Sequence, residues 1–454
     1  MVGMAHMLQG LMRVKSGPIW IWTSLFLAVA CHPADSSSNE DLPPSSLEES
    51  IPGGTYITKK GGESTLLRDK MPYPIKGACI VNPKQTPERY GGNAIRIYEP
   101  LGLDTLLDQA NRKGLSVMVG LGMKPIRTGF DYYNEKKVLA QELALLDTVR
   151  KYRGHPALLM WNLGNEINLI ARDKVVWKAV ESLAAKIKAM DPHHPTTVSI
   201  HASELMVDQV AALCPSIDIL SLNLFGAMTR FVKALNRGKL AWKKPYIMTE
   251  WGSRGYWETT ETLWDAPIEP LPEEKVEQLT YSYHMMTDSA KRCLGGFVFL
   301  WGQKQERTHT WFSMFSEGGE KTPLIDAMQL HWTGTYPTHC APVIQSLSVN
   351  GQFDMEGLYL HARDTFYADI QVEEGTQYHF EWELLPEGTY RTSFGGDGES
   401  RPVSIQNYIL SQQEGHLEGI VPSKLGAYRL FVYVRDNQGG GSSANFPFFV
   451  ITAD

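Results

Sequence analysis

The sequence predicts an α/β protein: a (β/α)8 barrel followed by a C-terminal immunoglobulin-like β-sandwich. Three observations carry this. First, eight short apolar runs between residues 74 and 332 are separated by longer stretches, most with helical periodicity. That alternation is the mark of a parallel sheet joined by helical crossovers. Second, the runs are apolar without a polar face, as expected of strands covered on both sides. Third, beyond residue 342 the period changes to two, with glycine-rich turns such as Gly439 to Gly441 between the runs, which reads as a sandwich.

Taken in order, Thr55 to Tyr73 reads as a hairpin around Gly61-Gly62. The barrel strands are expected at 75–80, 93–98, 115–120, 157–161, 196–200, 217–222, 246–249 and 296–301. Helical periodicity covers 103–113, 137–153, 173–190, 273–292 and 323–331. The expected domains are a barrel over 55–335 and a sandwich over 342–454, the latter a spacer packed against the barrel rather than a sugar-binding module. Sandwich strands are expected at 365–372, 377–382 and 427–434, and no Cys…Trp…Cys signature of antibody domains is present.

Two of the barrel runs end in carboxylates. Ala157-Leu-Leu-Met-Trp161 is followed by Asn-Leu-Gly-Asn165-Glu166, and Tyr246-Ile-Met-Thr249 by Glu250-Trp251-Gly. The glutamates are 84 residues apart, room for two to three βα units. In such barrels, functional residues sit at the C-terminal ends of strands. Two carboxylates facing each other there are the equipment of a glycosidase, and about 5–5.5 Å between them fits a retaining one.

The pair Trp-Asn-Leu-Gly-Asn-Glu166 and Thr-Glu250-Trp-Gly resembles the clan A glycoside hydrolases, retaining (β/α)8 enzymes. The resemblance spans roughly Pro74 to Trp332 and is closest to the family 2 type of barrel. The layout is also similar to family 158, which acts on β-1,3-glucan. The resemblance implies Glu166 as acid/base and Glu250 as nucleophile. It implies that Asn165 bonds the sugar 2-hydroxyl, that Arg96 holds the nucleophile ionised, and that Trp301 forms the platform under the sugar. His201, Trp251, Trp257 and Trp311 are expected around the site, with Lys304, Gln305 and Glu306 in a polar loop beside it. One departure stands out. Phe225 occupies the place of the tyrosine that in this clan holds the nucleophile, so Asn223, or a tyrosine such as Tyr98 or Tyr256, is expected to take over.

These readings imply a retaining β-glycoside hydrolase, with a β-glucan favoured as substrate. The alternatives are a transglycosylase on the same site and a non-catalytic glycan-binding lipoprotein. A net charge of −7 points to neither a nucleic-acid surface nor a basic membrane patch. No zinc-protease, Walker or dinucleotide motif is present, so no cofactor or metal is expected. Cys79, Cys214 and Cys293 lie in apolar contexts and read as buried thiols. Cys340 fits no metal spacing.

The first 31 residues read as an export signal, with Arg13 and Lys15 before the apolar stretch 19–30 and Leu27-Ala-Val-Ala-Cys31 resembling a lipoprotein cleavage site. Residues 32–54 then read as a disordered tether, giving an exported protein held to a membrane by acyl chains on Cys31. Mass spectrometry of the mature protein should find Cys31 at the N-terminus carrying lipid. An unmodified Cys31, or cleavage elsewhere, removes the anchor.

Overall fold

The computed structural model describes residues 51–169, 174–288, 291–373, 377–388 and 399–452. The expected signal segment with Cys31, and all of the tether except residues 51–54, lie outside them. Thr55–Lys60 (β1), Glu63–Arg68 (β2) and Met71–Pro72 (β3) form a small antiparallel sheet.

Eight parallel strands then close into a barrel. They are Ile75–Ile80 (β4), Ala94–Ile97 (β5), Ser116–Gly120 (β6), Leu158–Asn165 (β7), Thr196–His201 (β8), Ile219–Asn223 (β9), Tyr246–Trp251 (β10) and Cys293–Trp301 (β11). The strand order follows the chain, and β11 pairs back onto β4. The strands are buried nearly end to end, which is why they show no alternation in sequence.

The helices are Leu103–Arg112 (α1), Glu135–Tyr152 (α2), Val175–Met190 (α3), Glu204–Leu213 (α4), Met228–Asn236 (α5), Pro272–Thr287 (α6) and Pro323–Thr333 (α7). Local chemistry sets their starts. Asn134 caps α2 and Ser203 caps α4 through their side chains, while Pro272 and Pro323 open α6 and α7. Three features differ from the sequence reading. The crossover after β4 is reduced to a 3-10 turn, Pro87–Tyr90. α4 and α5 were not expected, although the buried Met228, Phe231, Val232 and Leu235 of α5 recur at helical spacing. And β7 continues past Trp161 to Asn165, so most of the polar tip is still strand.

The C-terminal domain is a pair of four-stranded sheets. Its strands are Ile344–Val349 (β12), Tyr359–His361 (β13), Thr365–Val372 (β14), His379–Pro386 (β15), Ile409–Gln413 (β16), His416–Ile420 (β17), Gly426–Arg435 (β18) and Gly441–Ile451 (β19). The sheets run β12-β14-β17-β16 and β13-β19-β18-β15. Phe366, Leu384, Leu417, Leu430, Phe446 and Phe448 are buried between them.

Buried polar groups fasten the sandwich to the barrel. The guanidinium of Arg429 donates to Pro267 O (2.8 Å), to Asn445 Oδ1 (2.7 Å) and to Glu387. Asn445 in turn donates to Glu269 Oε2 (2.7 Å), whose other oxygen takes Lys275. Burial raises the Glu269 carboxyl pKa, but Lys275 and its hydrogen bonds bring it below the usual value. Removing one partner from such a set strands a buried charge. Arg429→Leu should therefore cost about 3–5 kcal/mol of stability in chemical denaturation. A loss under about 1 kcal/mol would show that the junction does not depend on it.

Candidate active site

The C-terminal ends of the barrel strands open into a cleft of about 1060 Å3. Glu166 and Glu250 both line it, with Asn165, His201 and Asn223. No sandwich residue lines the cleft among those described.

Backbone packing fixes the rim. A side chain at Gly164 would meet Ile167 Cγ2 at 2.6 Å, and one at Gly120 would meet Tyr98 O at 2.3 Å, so both positions demand glycine. Glu166 follows β7 with φ +47°, a left-handed conformation that costs a non-glycine residue roughly 1–2 kcal/mol. Its N–H donates to Ser199 O (2.8 Å) and its carbonyl accepts from Arg127 (3.3 Å). The strain is held by β8 on one side and Arg127 on the other.

The centre of the site is Arg96, on β5 and fully buried. Its Nη1 donates to Glu250 Oε1 (2.9 Å) and Thr249 O (2.7 Å). Its Nη2 donates to Asn165 Oδ1 (2.7 Å) and Ser199 Oγ (3.2 Å). Asn223 Nδ2 donates to Asn165 Oδ1 (3.1 Å) and Glu166 Oε1 (2.9 Å), while its Oδ1 accepts from Thr249 Oγ1 (2.9 Å). Glu250, Arg96, Asn165, Asn223 and Glu166 thus form one continuous chain. Asn165 uses its oxygen inward on Arg96 and Asn223.

Tyr98 answers the question left by Phe225. Its hydroxyl donates to Glu250 Oε1 (3.0 Å), and its ring lies 4.4 Å from the Arg96 guanidinium. Asn223 holds Glu166 instead. Tyr256 lines the cleft beside Trp257.

Burial raises both carboxyls, Glu250 to about 7, and the charge of Glu166 adds to the rise at Glu250. Such a pair titrates as a unit, and the donors divide it. Glu250 has a guanidinium and a phenol on one oxygen, both favouring its ionised form. Glu166 has only the Asn223 amide, with Arg127 and Arg96 acting through space and Glu306 acting against them. Hydrogen bonding therefore favours the ionised form more strongly at Glu250 than at Glu166. Burial also raises the Tyr98 hydroxyl well above its ordinary value, so it remains a donor, and lowers the His201 imidazole.

Other expected site residues lie elsewhere. Trp301 is fully buried and faces away from the cleft, stacked on Trp332 of α7 (5.4 Å) and edge-on to Tyr90 and Phe315. Trp251 packs against Tyr283 of α6, and Trp311 is buried with its indole donating to Arg254 O. These three are core and loop supports. The barrel buries both faces of its strands, so an aromatic at a strand end has two apolar sides to choose from. The cleft's aromatic wall comes from Phe225, Phe299, Phe312 and Trp257, with ring centroids 5.3–6.1 Å apart where they touch. Phe299 and Phe312 gave no sequence signal beyond their apolar character. Lys304 and Glu306 do line the cleft, paired at 2.8 Å, while the Gln305 amide donates to Arg307 O. Cys79 and Cys214 are buried, Cys293 partly so and Cys340 exposed, all as free thiols. No cluster of three His, Cys, Asp or Glu side chains able to hold a metal occurs among the described residues.

A closed parallel barrel with two partly buried glutamates at the ends of its fourth and seventh strands has the architecture of the clan A glycoside hydrolases. Residues 102–263 match the family model "Glycosyl hydrolases family 2, TIM barrel domain". The chain is similar to β-glucuronidase of Chlorocebus aethiops, 24% identical over 44% of this chain and 31% of that one. It is likewise similar to β-glucuronidase of Paenibacillus borealis, 24% identical over 43% and 34%. The matched stretch thus spans about a third of these relatives' length. Among solved structures, Bacteroides uniformis β-glucuronidase aligns at 15% identity with a TM-score of 0.48, covering 88% of this chain and 48% of that one.

The division of the carboxylates is open to direct test. Tyr98→Phe removes a donor to the ionised form of Glu250, so that form is disfavoured and the pKa must rise. A charge-assisted hydrogen bond of about 1.5–3 kcal/mol corresponds to a rise of about 1–2 pH units. Carbon NMR of labelled glutamate carboxyls should show Glu250 keeping its proton to higher pH. An unmoved titration contradicts the assignment.

Proposed function

We propose that the protein is a retaining β-glycosidase acting by double displacement. The observation that carries this is the unequal treatment of two carboxylates in one cleft: Glu250 bonded by Arg96 and Tyr98, Glu166 partly buried with a single amide donor. An ionised Glu250 attacks the anomeric carbon while Glu166 gives its proton to the departing glycosidic oxygen. The glycosyl–Glu250 ester is then opened by water, with Glu166 taking back a proton, and the configuration is retained. Arg96 and Tyr98 favour the ion that attacks. Burial favours the neutral acid that donates.

The substrate is a β-linked glycoside. The relatives compared above carry the name β-glucuronidase, which lends no support to a β-glucan in particular, and the reading is accordingly broader than that. A uronate would need a cation at the cleft. Arg127 and Lys304 line it, each beside a carboxylate or carbonyl that already engages it. The wall of Phe225, Phe299, Phe312 and Trp257 suits the apolar face of a sugar or aglycone. Export and anchoring through Cys31 complete the proposal, on the strength of the N-terminal sequence alone.

Aryl β-glucuronides, β-galactosides and β-glucosides, alongside a β-1,3-glucan, would identify the sugar. On the accepted aryl substrate, Glu250→Ala should abolish turnover. Glu166→Ala should retain the first step, because an activated leaving group needs little protonation, and should accumulate glycosyl-enzyme. Azide should then restore turnover of Glu166→Ala and give a product of retained configuration. Rescue of Glu250→Ala instead reverses the two roles, and wild-type rates in both variants would falsify the proposal.

A further inference from the structure

Of the four rings in the aromatic wall of the cleft, one is open to solvent. Phe225 and Phe312 are 7% and 3% exposed and Phe299 is partly buried, whereas Trp257 is 47% exposed. A buried ring offers little to stack on, so Trp257 carries most of the aromatic surface that a bound molecule could meet.

That ring is also fixed before anything binds. Trp257 sits in a 3-10 turn, Tyr256–Glu258. The Glu258 carboxylate closes the turn by accepting from Gly255 N–H (3.1 Å). The same oxygen accepts from Gly226 N–H (2.8 Å), in the segment after β9. Three rings brace the indole: Tyr256 edge-on at 4.8 Å, Phe225 edge-on at 5.7 Å and Phe312 tilted at 6.1 Å. Gly255 lies against it as well. A Cβ there would meet Trp257 Cε2 and Cζ2 at 2.4 Å, although the Gly255 φ of −71° suits any residue. The indole, not the backbone, demands that glycine. A single exposed aromatic is ordinary on a protein surface. A braced one in the wall of this cleft presents a rigid apolar face with little ordering left to be done on binding.

The hydrogen bonds of the two glutamates indicate which part of a substrate meets that face. Glu250 Oε1 is held by Arg96 on β5 and by Tyr98 just beyond it, whereas Glu166 Oε1 is held by Asn223 on β9. The nucleophile's oxygen is thus drawn towards β5 and the acid's towards β9. In a double displacement the departing oxygen takes its proton from the acid, so the leaving group extends on the β9 side. Phe225 follows the end of β9, and Trp257 packs against it.

We propose that Trp257 is the platform for the leaving group. The leaving group it suits has a flat apolar face, either an aryl ring or the C–H face of a second pyranose. This role rests on the reading of the cleft as a retaining glycosidase site. It makes Trp257 a specificity-determining residue, favouring glycosides whose leaving group is a ring over those whose leaving group is small, whatever sugar is transferred.

The test isolates the leaving group. The 4-nitrophenyl β-glycoside and the β-glycosyl fluoride of one sugar share everything but the group that departs, and fluoride has no ring. The sugar is glucuronic acid, galactose or glucose, according to what wild type accepts. In Trp257→Ala the ratio of kcat/KM for nitrophenyl over fluoride should fall about tenfold, the order expected when one ring face loses its cover. Trp257→Phe, which keeps a ring, should recover most of that ratio. A β-linked disaccharide of the same sugar, run beside them, separates a pyranose leaving group from an aryl one; a fall for either supports the platform. Ratios within about twofold of wild type for both overturn it, because a structural role or a contact to the transferred sugar lowers all the substrates alike. If wild type hydrolyses none of them, the reading of the cleft fails and the platform with it. If wild type hydrolyses them and the ratios hold, only the platform fails.

Discussion

The site depends on one buried cation. Arg96 sits inside the barrel with no exposure, and its two terminal nitrogens reach Glu250, Thr249, Asn165 and Ser199. Burying a guanidinium is costly unless a counter-charge and full hydrogen bonding offset the lost hydration. Here the counter-charge is Glu250. Burial works against the Arg96 charge, yet Tyr98 and Glu250 beside it raise its pKa overall. The need is mutual: Arg96 requires an ionised Glu250, and Glu250 requires Arg96 to ionise in a place where burial raises it. Through Asn165 and Asn223 the same cation orders the side chain of Glu166 without neutralising it. One residue therefore reaches both carboxylates, directly at Glu250 and through two amides at Glu166.

The scaffold explains why that arrangement is stable enough to persist. Strands β5, β7, β9 and β10 bring Arg96, Asn165, Asn223 and Glu250 to the same end of a closed sheet, and Glu166 follows directly on β7. Register does the fine placement, with Asn165 opposite Ser199, His201 opposite Asn223 and Asn223 opposite Glu250. Strain at Glu166 and close packing at Gly164 and Gly120 are local costs borne by a well-packed barrel.

Much of this was legible in the sequence because of where polarity interrupts apolar runs. Glu166 and Glu250 each follow a run with nowhere to be but a sheet interior, so their carboxylates had to fall at its edge. Arg96 was singled out by the family resemblance, as a residue of the second barrel run. What the sequence could not supply was side-chain direction. Trp301 ends its strand as expected and Trp251, expected in a loop, ends β10, but each can face the cleft or the surrounding helices with equal apolar satisfaction, and both face the helices. Conversely, Phe299 and Phe312 look like ordinary core residues and line the cleft. Tyr98 was one of several candidates for holding Glu250, since its partner is 152 residues away and only barrel closure brings them together.

The most direct test of the central claim is to trap the intermediate. A 2-deoxy-2-fluoro β-glycoside of the accepted sugar, with a good leaving group, forms the glycosyl-enzyme faster than water can open it. Proteolysis and mass spectrometry of the trapped protein should locate the sugar on Glu250, within Thr249-Glu250-Trp251. A label on Glu166, or time-dependent inactivation with no label on either glutamate, would contradict the account of Arg96 and Tyr98 as the groups that prepare the nucleophile.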